Sequence, residues 1–294
     1  MFDSFATETG YMKQLHILLL IIAVVATGCG NEKREAEARF AAAQQLYESA
    51  QWAAAKQELD SLKILYPKQV AELRKGLALM RTIELKEQER HFFYCDSLLT
   101  VKEGEAHILS PKFVLEKDEE YQEIGQWVYK NQRIERNVER TYLRSNVSEK
   151  GDFALVSVYF GKGAINHNAI KASINNGDYA ETSVVLRDGG NNYAFTDNGN
   201  TSEIVSYITE KDGGVTSFIV QHLKDRIKIE YKSEGKTKHT IYLADSDRMA
   251  ISETFEYAAV LSDIEHLKRE LEKSKSRMEY LKLKLSEGQN PTES

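Results

Sequence analysis

From Tyr257 to Leu285 the chain returns apolar side chains in alternating steps of three and four: Tyr257, Val260, Ile264, Leu267, Leu271, Ser274, Met278, Leu281 and Leu285. Only Ser274 breaks the series, and a stripe of that period held over about four heptads is buried most completely by a second helix laid along it. A run from Lys68 to Val101 offers the partner, with Val70, Leu73, Leu77, Met80, Ile83, Tyr94 and Leu98 at helical spacing and no proline. Lys268, Lys275 and Lys282 flank the C-terminal seam, while the earlier run supplies Glu84, Glu87, Glu89 and Asp96. The charges predict that residues 70–105 and 251–288 pack as a long antiparallel helix pair, a coiled-coil stalk. The competing arrangement is a parallel homodimer through the C-terminal helix, in which Asp263 meets Lys268 and Glu270 meets Lys275, but Arg277 meets Lys282 repulsively.

Between these helices, over residues 106–250, the period changes to alternation. Ile227, Ile229 and Tyr231 alternate with Lys228, Glu230 and Lys232, and Ser233-Glu234-Gly235 turns that strand into Thr240 to Leu243. Further strands are predicted at Phe153 to Phe160, Ile170 to Ile174, Thr182 to Leu186, Glu203 to Thr209 and Thr216 to Leu223. Asn- and Gly-rich turns separate them, around Gly177, Gly189, Gly199 and Gly213. Short strands at that rhythm imply an antiparallel, sandwich-like β module inserted between the helices, and the whole chain reads as α+β. The acidic run Glu116 to Glu120 reads as a solvated loop or helix start.

No catalytic signature stands out. His107, His167, His222 and His239 are scattered, and the sequence holds no H-E-x-x-H, no Gly-x-Ser-x-Gly and no phosphate-cradling glycine loop. Asp188, Asn191, Asp197 and Asn200 carry the oxygens calcium favours, yet at turn positions where tolerance of positive φ accounts for them. The expectation is therefore a non-enzymatic protein with no catalytic residues, no cofactor and no metal. Exposed aromatics beside Asn- and Asp-rich loops suit polar ligands such as glycans, and Trp127, Tyr179 and Tyr193 are the candidates. A net charge of −6 argues against nucleic acid as a partner.

The N-terminus carries a different kind of signal. Ile17 to Ala26 is an unbroken apolar run preceded by Lys13. As a helix it would rise about 15 Å, half of the roughly 30 Å hydrocarbon core, which is signal-peptide rather than membrane-spanning length. Because Met1 to Tyr11 is acidic, the expectation is that Met12 is the true start or that the first residues are dispensable. Small residues Ala26, Thr27 and Gly28 then lead into Cys29. This segment resembles a bacterial lipoprotein signal, although Ala26 stands where that family more often has leucine. The resemblance implies cleavage before Cys29, a diacylglyceryl thioether on its sulfur, and localisation to the cell envelope at the outer membrane. Residues 1–28 would then be the signal peptide and 29–35 a lipidated linker. With Cys29 carrying lipid, Cys95 has no partner for a disulfide within the chain.

Behind the linker, Trp52, Ala55, Leu59 and Leu62 recur at spacings of three and four, Leu46 and Tyr47 lie on a preceding helical stretch, and Pro67 ends the run. Residues 36–69 resemble one tetratricopeptide repeat, with Ala42, Ala43 and Ala50 departing from the family pattern. The resemblance implies close helix approach at Ala55 and an interaction surface including Trp52; the alternative is a plain helical hairpin with Trp52 in its core. Residues 289–294 read as a tail. The combined expectation is a lipid-anchored envelope protein acting as an interaction or scaffold module toward another envelope protein, with glycan binding by the β module as the alternative.

Overall fold

The computed structural model describes residues 31–289 and makes the chain α+β. Residues 31–48 are helical (α1), followed by α2 (Trp52–Leu65) and α3 (Val70–Leu109). Ten strands and one short helix come next, and α5 (Asp245–Gln289) closes the chain. Cys29, the segment before it and the last residues of the tail lie outside the described residues. Two units are distinguished, one of residues 31–94 and 272–289, the other Cys95–Leu271.

In the first unit, Ala43, Ala55, Leu59 and Ile83 are buried, with Phe40, Leu46, Tyr47, Trp52, Leu79 and Met80 packed against them. Burying a side chain the size of Ile83 contributes roughly 1.5–3 kcal/mol. The turn between α1 and α2 holds Ala50 at φ +58°, with Gln51 N–H donating to Leu46 O and Ala50 N–H to Tyr47 O. That is the bonding of a helix end that usually carries glycine. Ion pairs tie the helices at the edges: Arg39 with Glu58 at 2.7 Å, Lys56 with Glu87 at 2.8 Å and Arg277 with Glu84 at 2.6 Å. Arg81 also donates to the carbonyl of Lys284, 3.2 Å away.

The second unit contains two antiparallel sheets. One has the order β1 (Phe113–Glu116), β2 (Gln126–Tyr129), β3 (Tyr142–Ser148), β4 (Phe153–Gly161), β8 (Asn200–Ile208), β7 (Asn192–Asp197). The other runs β10 (Lys236–Tyr242), β9 (Lys228–Ser233), β5 (Ala169–Ser173), β6 (Tyr179–Glu181). Leu143, Leu155, Val205 and Tyr207 of the first sheet share one core with Ile170, Ile229 and Tyr231 of the second. The two-residue period decides which side chains enter it. Along β8, Thr201, Glu203, Val205 and Tyr207 are buried, and the residues between them face away. A second cluster joins Leu109, Phe113 and Val147 to Tyr257, Val260, Leu261 and Ile264 of α5.

Several expectations change. Thr216 to Leu223 is not a strand: α4 (Val215–Gln221) is a helix. Gly214 precedes the helix at φ +83°, and Asp212 accepts from Thr216 N–H at 3.2 Å and from its hydroxyl at 2.6 Å, which ties down a first turn that holds the β-branched Val215 and Thr216. Residues 182–186 form no strand; Thr182 N–H donates to Ile170 O of β5 and Val185 N–H to Asn168 O just before it. Helix α3 runs on to Leu109 and α5 begins at Asp245, so both overrun the boundaries of 105 and 251. The start of the C-terminal seam meets more than a helix, since Tyr257 stacks on Phe113 at 4.6 Å and meets Trp127 edge-on at 5.9 Å. The lysine flank makes other pairings: Lys268 lies beside Glu265 of its own helix, and Arg277 is the residue facing Glu84.

Candidate functional site

Two features of the second unit bring polar chemistry together. The first lies between the sheets. Ser157 projects inward from β4 and Glu203 from β8, while His167 comes from the segment leading into β5. Ser157 Oγ and His167 Nε2 are 2.8 Å apart, and His167 Nδ1 lies 2.8 Å from Glu203. Glu203 also accepts the backbone N–H groups of Ile165, Asn166 and His167 at 2.7 to 2.9 Å. Burial alone would raise its pKa, but the ring of His167 and those N–H groups hold it below the usual glutamate range. With Glu203 ionised, Nδ1–H donates to it and Nε2 accepts the Ser157 hydroxyl, whose oxygen is 3.2 Å from Tyr207 OH. Burial pushes the Tyr207 hydroxyl well above the ordinary tyrosine range.

The connectivity is that of a serine nucleophile, its base and the base's orienter. All three side chains are sealed from solvent: Ser157 and Glu203 are 0% exposed and His167 1%. The ring of His167 packs on Tyr231, with centroids 5.1 Å apart. The trio acts as a polar brace that satisfies the chain entering β5.

The second feature is on the opposite, outer face of the first sheet, a cavity of about 240 Å³. Strand register builds its floor. Tyr142 pairs with Val158, Val158 with Ile204, and Ile204 with Tyr193, giving a row across four strands. One step along, Phe160, Ser202 and Phe195 form a parallel row. On the other side of the first row Arg144 pairs with Val156. The segment before β3 forms a wall with Val138, Glu139 and Arg140, and the turn between β7 and β8 supplies Asp197, Asn198 and Asn200. Asn198 and Gly199 have φ of +48° and +76°, the left-handed pair that a two-residue hairpin turn demands.

The wall is fastened from behind. Asn137 Nδ2 donates to the carbonyls of Asn131 and Arg133 at 2.8 and 2.9 Å, and its oxygen accepts from Arg140 at 2.7 Å. Arg140 also donates to Asp247, in the first turn of α5. Asp247 is 3% exposed, and burial raises its pKa against the opposing pull of Arg140 and Gln132. Gln132 stands in for a strand, donating to Leu143 O and accepting from Ser145 N–H, both at 2.9 Å. Arg144, by contrast, has a buried Nε with no hydrogen-bond partner among the described residues.

The sequence-derived candidates are dispersed. Trp52 opens α2 in the first unit, half-buried, with the Arg90 guanidinium 5.1 Å from its ring. Trp127 packs on Tyr257, and Tyr179 is exposed on β6 with Lys171 Nζ 3.9 Å from its ring centroid. Only Tyr193 lines the cavity. Asp188 accepts the N–H groups of Gly190 and Asn192, which hold its pKa down. Among the described residues no group of three His, Cys, Asp or Glu side chains is placed to hold a metal ion. Nor is any described helix long and apolar enough to cross a membrane. Arg144, Phe160, Phe195 and the trio around His167 were not singled out by sequence. Strand alternation is the signal that could have placed Arg144, since it shares a face with Tyr142.

Comparison with protein-family models, curated proteins and solved structures returned no match.

Proposed function

We propose that the chain is a lipid-anchored protein of the bacterial cell envelope, held at the outer membrane through Cys29, with a non-enzymatic interaction or scaffold role. The anchor rests on the apolar run Ile17 to Ala26 placed directly before Ala26-Thr27-Gly28-Cys29. Two or more acyl chains give stable membrane attachment where one does not. In this reading α1 and α2 form a tetratricopeptide-like hairpin, α3 and α5 an antiparallel coiled-coil pair, and the two sheets a sandwich that engages the partner.

The observation that carries the binding role is the contrast between the two polar features of the second unit. The serine, histidine and glutamate are sealed in the core, and the cavity on the outer sheet face is lined by side chains such as Tyr193, 39% exposed. Metabolic labelling with a tagged fatty acid tests the anchor: the label should enter the wild-type chain and be absent from Cys29→Ala. A wild-type chain that stays unlabelled defeats the reading. Crosslinking in intact envelopes, followed by purification, should recover another envelope protein rather than a second copy of the chain.

Glycan binding by the β module is the second reading, favoured by the position of Tyr193 beside Asn198 and Asn200 at the cavity. A glycan array probed with the full chain separates it from a purely protein-directed role.

A further inference from the structure

We propose that the cavity on the outer sheet face binds an acidic sugar, a pyranose ring bearing one carboxylate, with Arg144 as the partner of that carboxylate. This rests on the glycan reading of the β module and adds to it the charge and the orientation of the ligand.

Two arginines line the cavity, and they differ in what they already hold. Arg140 donates to Asp247 and to Asn137 and lies 4.9 Å from the centroid of the Tyr142 ring, so its guanidinium is committed to the wall. Arg144 sits one row further along the sheet, with its side chain in hydrogen-bonding contact with Tyr142. Its strand partner is Val156, which is itself buried, and no carboxylate among the described residues pairs with it. Its Nε is buried without an acceptor. A guanidinium that lines a cavity without a carboxylate of its own is matched best by a ligand carboxylate, because the two oxygens fit the fork of N–H donors.

The remaining walls select the body of the ligand. Tyr193 and Phe195 alternate onto the same face of the edge strand β7, and Phe160 lies across from Phe195 in the same row. Flat aromatic faces of this kind accept the C–H face of a sugar ring, while Asn198, Asn200 and Asp197 in the hairpin turn offer amide and carboxylate groups to its hydroxyls. A volume of about 240 Å³ suits one ring rather than a long oligosaccharide. The lining also limits the anion's charge. Glu139 and Asp197 are both present, so a dianionic phosphate would meet two negative groups for one available arginine. A singly charged carboxylate directed toward Arg144 meets less of that repulsion.

The test uses the full-length protein in detergent and three matched pairs of probes: methyl uronides of gluco, galacto and manno configuration, each against its neutral methyl glycoside. Calorimetry should show at least one uronide binding ten-fold or more tighter than its neutral twin. Arg144→Met should abolish that advantage, so that acid and neutral sugar bind alike, and Arg144→Lys, which keeps the charge but not the fork, should restore part of it. Tyr193→Ala should weaken both members of the pair alike. Thermal melting identifies a variant that has lost its fold, in which case the lysine variant carries the comparison. Equal affinity of the wild type for acid and neutral sugar overturns the role of Arg144 and leaves the glycan reading standing. Binding of benzoate as tight as that of the uronide overturns the sugar. Failure of all six probes to bind overturns the proposal outright, whereas the glycan reading falls only if a neutral glycan array is blank as well.

Discussion

Glu203 accepts two hydrogen bonds from a single residue, the backbone N–H of His167 at 2.9 Å and its Nδ1 at 2.8 Å, with both side chains sealed from solvent. Replacing Glu203 by Gln would turn a donor toward N–H groups that need an acceptor. The expected loss of stability is roughly 2–4 kcal/mol, from a buried charge-assisted network left partly unsatisfied. The pH dependence has a definite sign. The folded-state pKa of Glu203 lies below that of the unfolded chain, so its contribution is complete above the ordinary glutamate value near ~4.3 and is lost as pH falls through the folded value. Urea midpoints measured from pH 7 down to pH 3 should show a steeper acid limb in the wild type than in Glu203→Gln. Identical limbs would mean that Glu203 does not titrate with folding.

The wall of the outer cavity depends on Arg140 and Asp247. Arg140→Met would leave the Asp247 carboxylate, 3% exposed, without its cation, at a cost of about 3–5 kcal/mol near neutral pH. Burial already raises the folded pKa of Asp247 above its unfolded value, so protonation is favoured in the folded state and stability is gained as pH falls toward the unfolded pKa. Removing Arg140 raises it further, and the penalty should shrink on acidification. Adding Asp247→Asn to Arg140→Met should recover part of the loss. A penalty that is constant from pH 7 to pH 4 would show that the ion pair is not its source.

Gly151 turns β3 into β4 with φ +89°, and a Cβ there would lie 2.3 Å from the backbone nitrogen of Ser262 and 2.6 Å from its Cα. Backbone cannot yield as a side chain does, so Gly151→Ala should destabilise by about 3 kcal/mol or more through strain and displacement of α5. Gly163 is the control. A Cβ added there meets nothing within 4 Å, and Gly163→Ala should change stability by no more than about 0.5 kcal/mol. Chemical denaturation of the two variants side by side reads the difference.

What the sequence made legible follows from range. The α+β composition, the long helices and the strands around Phe153, Ile170, Glu203 and Ile229 come from local periodicity, which the chain displays over neighbouring residues. Helix α4 departs from the strand expectation: Val215, Thr216, Ile219 and Val220 favour strands, whereas Asp212, just before the helix, accepts the Thr216 N–H of its first turn. The polar trio could not be read at all, since Ser157 and Glu203 meet only through the pairing of β4 with β8 and His167 arrives on a loop. The cavity was legible in one residue. Tyr193 carried a composition signal, while Phe160 and Arg144 depend on register across three strand pairs.

Glu84 and Arg277 give the sharpest check on the helix pair. Their side chains meet at 2.6 Å, and Arg81 reaches the carbonyl of Lys284, so moving back along α3 corresponds to moving forward along α5. Cysteines at positions 84 and 277, in a chain with Cys95→Ser, should be joined by a short bifunctional thiol reagent within one molecule, giving a faster-migrating monomer on a denaturing gel. Glu84 paired with Glu287 should not, because ten residues of helix displace the second site by about 15 Å. A parallel homodimer makes a different prediction, with the seam residue Met278 facing its own copy. Dimer formation by Met278→Cys alone, without an internal cross-link in the 84/277 double variant, would replace the intramolecular pair with that dimer, despite the repulsion it sets up between Arg277 and Lys282.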